Sequence, residues 1–273
     1  MAVVTPTAAD SALPVSRVIE GKGTSARRWQ AWSGWDEVRT ADLVALLPDG
    51  WRLVVVAPHP DDEVLGAGGL MSLAARAGRP VLVLAVTDGD ASHPGSTRWP
   101  RDRLVEQRAS ERAEALTVLG VDTGSVVRLG IADGQVPRLR VDLTRELIQH
   151  LSPSDVVISP WLLDGHPDHE AAARCVRIAA RISGAQHLQV PIWGWHWSAP
   201  GDGWMPWAAA LVLPLDAGVV NKKSRAVRCF RSQLEPDPST GEREILPDWA
   251  LDRLIRDREV FFRDPLPQAE GPP

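Results

Sequence analysis

Tyrosine is absent from the 273 residues, and cysteine is nearly so, with only Cys175 and Cys229 present. Neither cysteine belongs to a CxxC pair, so no disulfide framework is expected and a reducing cytoplasm is the simplest home. No apolar run is long enough to span a bilayer, and the N-terminus lacks the basic-then-apolar order of a signal peptide. Dense basic blocks are missing and the formal net charge is −5, which argues against nucleic acid as the main partner. No GxGxxG follows the first predicted strand, so a dinucleotide site is not expected. Internal repeats are also lacking.

What is present is enough for a core: hydrophobic residues make up 44% of the chain, which rules out global disorder. The length fits one large α/β domain. Residues 1–50 read as an N-terminal extension packing on the core, 51–262 as a single α/β domain, and 263–273 as a frayed Pro-rich tail. Buried strands are expected at Val54–Val56, Val81–Val86 and Asp155–Ser159, with a shorter one at Val126–Leu129 and a late one at Ala208–Pro214. Helices are expected at Glu63–Ala77, Arg103–Leu119, Leu139–Leu151, Glu170–Ile182, Val219–Ser232 and Trp249–Phe261. Strand and helix alternate through the middle, which implies βαβ units and a Rossmann-like three-layer sandwich with a mostly parallel central sheet.

Two segments share a design. His59-Pro60-Asp61-Asp62 and His166-Pro167-Asp168-His169 each follow a predicted buried strand and open a helix. In open α/β sheets ligands bind beyond the carboxyl ends of the strands. If both strands lie near the sheet centre, His59, Asp62 and His169 offer two nitrogens and one oxygen, with a coordination position left for water. That set suits catalytic zinc; iron(II) or manganese is compatible.

The chain resembles the PIG-L/LmbE-like metal-dependent deacetylases over roughly residues 50–235, on its Pro-His-Pro-Asp-Asp-Glu and His-Pro-Asp-His motifs. Softer matches are Thr87-Asp88-Gly89, the helix with Arg108 and Glu111, and Lys223 through Gln233. The resemblance implies removal of an N-acetyl or N-acyl group from an amino sugar or glycoconjugate. It implies that His59, Asp62 and His169 are zinc ligands and that Asp61 is the general base toward a metal-activated water. His166 corresponds to the histidine that stabilises the oxyanion or protonates the leaving amine. Asp164 and Asp168 would orient the imidazoles, while Asp88 and Arg108 would contact substrate or order the acidic cluster. With no tyrosine, any tyrosine aid to the oxyanion used by relatives cannot operate.

Simpler roles compete for several of these residues. Asp61 could merely cap the helix, Glu63 could complement the helix dipole, and Arg108, Glu111 and Arg112 could form a solvated face. Five of the 12 tryptophans, Trp193, Trp195, Trp197, Trp204 and Trp207, crowd into fifteen residues. Indoles stack on apolar sugar faces but also pack cores, and both readings stay open. Cleavage of an amide in a thiol or peptide conjugate, and metal-stabilised sugar binding without catalysis, are the alternative functions.

Overall fold

In the computed structural model, which describes residues 17–264, eight strands are found among the described residues. They are β1 (Arg39–Thr40), β2 (Arg52–Ala57), β3 (Val81–Ala85), β4 (Val126–Arg128), β5 (Asp155–Pro160), β6 (Gln186–Val190), β7 (Ala210–Pro214) and β8 (Arg258–Arg263). They form one sheet in the order β1-β7-β8-β6-β5-β2-β3-β4. Every neighbouring pair is parallel except those of β8, which runs against both β6 and β7. The helices of eleven residues or more are α1 (Asp62–Arg76), α2 (Arg101–Leu119), α3 (Arg140–His150), α4 (Pro167–Ser183) and α5 (Ala217–Val227). The mostly parallel sheet is thus as expected, with one antiparallel strand inserted.

The continuous apolar run of β2 has a direct cause. Leu53, Val55 and Ala57 pack into one core cluster, while Val54 and Val56 pack into another on the opposite face. A strand buried on both sides cannot alternate with polar residues. β5 pairs with β2 in parallel, Val54 facing Val157. The turns that leave β2 and β5 therefore emerge side by side at the carboxyl edge.

Helix α1 is broken near its middle, where Ala67 leaves helical geometry at φ −136°. Three backbone groups around the break are taken up by a buried ion pair. Lys223 Nζ donates to the Leu65 carbonyl at 2.8 Å and to Glu259 Oε1 at 2.7 Å. Glu259 in turn accepts the Gly69 and Leu70 amides at 2.6 and 2.9 Å. Gly66 and Gly69 permit the close approach, since an added Cβ would meet Val190 or Leu215 side-chain carbon at 2.6 Å.

Two expectations fail. The helix expected at Trp249–Phe261 is a single turn, Asp248–Leu251, followed by β8. Leu251, Leu254 and Ile255 mimic helical spacing, but Val260, Phe261 and Phe262 are buried in the sheet. Strand β6 is unexpected, because Gln186, His187 and Gln189 interrupt its apolar character. Inside the fold His187 meets Ser159 Oγ at 2.8 Å and Gln189 accepts the Leu162 amide at 3.0 Å.

Residues 17–50 lay Trp29 into the core and add β1 beside β7. The first dozen residues and nearly all of the Pro-rich tail lie outside the described residues. Among the described residues no helix is long and apolar enough to cross a membrane.

Candidate active site

The β2–α1 turn is strained where the sequence places its spare acid. Asp61 has φ +130°, and among the described residues it is the non-glycine with positive φ. Such backbone persists only when its surroundings hold it. Here Glu63 Oε2 accepts the Asp61 amide at 3.2 Å, and Arg108 Nη2 donates to Asp61 Oδ2 at 3.0 Å and to the Pro60 carbonyl at 2.6 Å. Arg108 Nη1 also bonds the Gly89 carbonyl at 3.0 Å. The Asp61 side chain makes no capping bond to α1, so the carboxylate is free for another task.

Asp62 lies between two imidazoles. Its Oδ2 is 3.2 Å from His59 Nδ1 and 3.2 Å from His169 Nε2. The far nitrogen of each ring is held by acids. His169 Nδ1 meets Asp164 Oδ2 at 2.7 Å, and His59 Nε2 meets Asp133 Oδ1 at 3.1 Å and Asp168 Oδ2 at 3.4 Å. Carboxylates on the outer nitrogens fix ring orientation and raise ligand basicity. Burial pulls His59 down, but Asp133, Asp168 and Asp62 outweigh it and raise it well above its ordinary value. Burial likewise opposes His169, which Asp62 and Asp164 lift to about 9. Burial would raise Asp62, but His169 and His59 hold it well below the usual carboxylate range. Burial raises Asp61 to about 7 against the pull of Arg108.

His166 caps α4, its Nδ1 accepting the Asp168 amide at 3.2 Å. Its ring centre lies 4.9 Å from that of His59 and 4.7 Å from that of His169. Burial, then the neighbouring His169 and His59, lower it to about 4. At neutral pH it is therefore uncharged, with the proton on Nε2, because Nδ1 is an acceptor.

The structure brings His59, Asp61, Asp62, Arg108, His166 and His169 to one cavity of about 250 Å³. Asp164 and Asp168 stand behind the imidazoles, fully buried. Asp88 does not join them. It pairs with Arg128 at 2.8 Å on the β3–β4 side, where the turn directs it outward. The solvated-face reading of α2 also fails: Arg108, Glu111 and Arg112 are buried, with Glu111 accepting the Ser232 amide and hydroxyl and Arg112 paired to Glu63. Asp133 escapes the sequence reading. Its only signal is an Asp-Gly pair following a short strand, which the parallel order delivers to the same edge; there its other oxygen accepts the Ala91 amide at 3.1 Å.

The donor set fits a divalent cation. Nitrogens of His59, His166 and His169 lie within 4.8 Å of one another, Asp62 adds an oxygen beside two of them, and the orienting acids are in place. Imidazole plus carboxylate is the set used for zinc and similar first-row metals.

Residues 54–180 match the family described as PIG-L, GlcNAc-PI de-N-acetylase. The chain is similar to the 1D-myo-inositol 2-acetamido-2-deoxy-alpha-D-glucopyranoside deacetylase of Kineococcus radiotolerans, 30% identical over 53% of this chain and 50% of that protein. That match therefore spans about half the length of the relative. A protein of the same description from Rhodococcus opacus is 28% identical over 79% of this chain and 92% of its own. Among solved structures, the conserved protein TT1542 from Thermus thermophilus is 28% identical with a TM-score of 0.54, over 80% of this chain and 96% of that one. Within the matched residues lie both histidine motifs, Arg108 and Asp133; Trp193 and Gln233 of the cavity wall lie beyond them.

Proposed function

We propose that this chain is a metal-dependent hydrolase, with zinc as the metal, that removes the N-acetyl group of an amino sugar or glycoconjugate. The observation that carries the reading is the convergence, in one cavity, of the donors His59, Asp62 and His169 with Asp61 and His166 beside them. The deacetylase descriptions of the relatives supply the substrate class.

His59, Asp62 and His169 would hold the cation, which supplies Lewis acidity and activates a water. Asp61 takes the proton of that water. Its strained backbone and the Arg108 bond keep the carboxylate beside the donor set without spending it on the helix. As the water oxygen adds to the acyl carbon, His166 would present Nε2–H toward the acyl oxygen, where a preorganised donor is worth most as charge develops. The proton held by Asp61 then passes to the nitrogen as the C–N bond breaks, leaving acetate and a free amine. Asp164, Asp168 and Asp133 hold the imidazoles in the required tautomers throughout.

The test is primary-amine release from a panel of N-acetyl amino sugars and glycoconjugates, with metal analysis of the same sample. Amine release that tracks metal content is expected. A preparation with one equivalent of metal that releases amine from none of the panel would overturn the reading.

A further inference from the structure

Four of the five tryptophans between residues 193 and 207 separate by surroundings. Trp195 and Trp207 join Trp29, Trp32 and Trp35 in an aromatic core, with ring centres as close as 4.9 Å for Trp29–Trp195 and 4.3 Å for Trp32–Trp207. Trp197 stacks on Trp161, 5.6 Å apart and 8° from parallel. Trp193 alone among the five lines the cavity of His59, Asp61 and His169. It is half-buried, packs against the main core cluster and forms part of the cavity lining.

The position of Trp193 is tied to the metal ligands by one side chain. Asp164 accepts the backbone amides of Ile192, Trp193 and Gly194 at 2.8, 3.1 and 2.9 Å, and the same carboxylate holds His169 Nδ1. Gly194 completes the turn, since a Cβ there would meet Trp161 at 3.0 Å. Four hydrogen bonds on a fully buried carboxylate make the His169 ring and the Trp193 turn one rigid unit.

The cavity lining is mixed: Ile192, Trp193 and Leu246 are apolar, while Ser92 and Asp133 are polar. Its volume of about 250 Å³ is below the roughly 300–1,000 Å³ of sites for drug-sized ligands, which leaves room for a single sugar ring. A pyranose has C–H groups on its faces and hydroxyls at its rim, and an indole face accepts the former.

We propose that Trp193 is the platform on which the pyranose ring of the substrate rests, with the ring hydroxyls turned toward Ser92 and Asp133. The proposal deepens the deacetylase reading and rests on it for the chemistry at the acyl group. Asp164 sets the distance between platform and metal ligands, so the platform selects substrates whose acetamido group is attached directly to the ring.

The experiment compares Trp193→Ala and Trp193→Phe with the wild type on two substrates, an N-acetylglucosaminide and the acyclic N-acetylethanolamine. For Trp193→Ala the ratio of kcat/KM for the sugar over the acyclic amide is expected to fall about tenfold, or about 1.4 kcal/mol, through KM. Trp193→Phe, which keeps an aromatic face, should recover most of the ratio. An unchanged ratio in both variants overturns the platform. Binding of N-acetylglucosamine, followed by NMR titration, separates this proposal from the deacetylase reading. Sugar binding that weakens in Trp193→Ala supports the platform even if the wild type hydrolyses neither substrate. Equal binding by both proteins, or none by the wild type, overturns it.

Discussion

Replacing Glu259 by Gln should destabilise the protein far more than a change of one atom suggests. The carboxylate is 4% exposed and holds the Lys223 ammonium together with the Gly69 and Leu70 amides across the break in α1. The Glu259→Gln substitution would leave Lys223 as a buried cation without a counter-charge, which costs about 3–5 kcal/mol. One amide would also lose its acceptor, at about 1–3 kcal/mol. The two losses share one carboxylate and overlap, so about 4 kcal/mol is expected, a large part of the roughly 5–15 kcal/mol that holds a domain together. Thermal unfolding should then shift down by about 8–16 °C, at roughly 2–4 °C per kcal/mol for this size. Adding Lys223→Met should recover part of the loss, because an apolar side chain replaces the stranded charge. A loss under about 1 kcal/mol in urea or thermal unfolding would refute the clamp.

Two further outcomes concern the site. Asp133→Asn should weaken divalent-metal affinity by about 10–100-fold, as other losses of an orienting partner do, measured by competition with a chelator; unaltered affinity would remove Asp133 from the account. Asp61 should make the metal-free protein less stable as pH rises. Its folded pKa of about 7 lies above the ordinary 3.8, so the folded state holds the extra proton and stability falls between those values. The stability of the metal-free wild type should therefore fall between about pH 4 and pH 7, by at most about 4 kcal/mol at about 1.4 per pH unit, and this part of the fall should be missing in Asp61→Asn, whatever the constant cost of removing the Arg108 partner. The same fall in both proteins would show that the surroundings do not raise Asp61.

Much of the site was legible because strand order made it so. The apolar runs of β2 and β5 are unmistakable, both are followed at once by the histidine motifs, and their parallel pairing puts His59 beside His169. Asp133 was not legible, because β4 is three residues long and only half-buried, which leaves little pattern to mark its end as part of the same edge. Asp88 misled for the opposite reason: it sits in a turn of the expected kind, but Arg128 on the neighbouring strand draws it outward. Strand β8 was hidden by its charges. Glu259 reads as solvent-facing until Lys223 and the broken helix supply its partners. The tryptophans show a limit of composition, since four of the five indoles between 193 and 207 lie apart from the cavity wall.

In the proposed mechanism the β2–α1 turn divides its labour, with His59 and Asp62 holding the cation and Asp61 moving the proton. Metal content and amine release of purified Asp61→Asn separate the two tasks. One equivalent of metal should be retained, and turnover of an N-acetylglucosaminide should fall by about 10²–10⁴-fold, the usual contribution of a positioned base. Retained metal with wild-type turnover would refute this division.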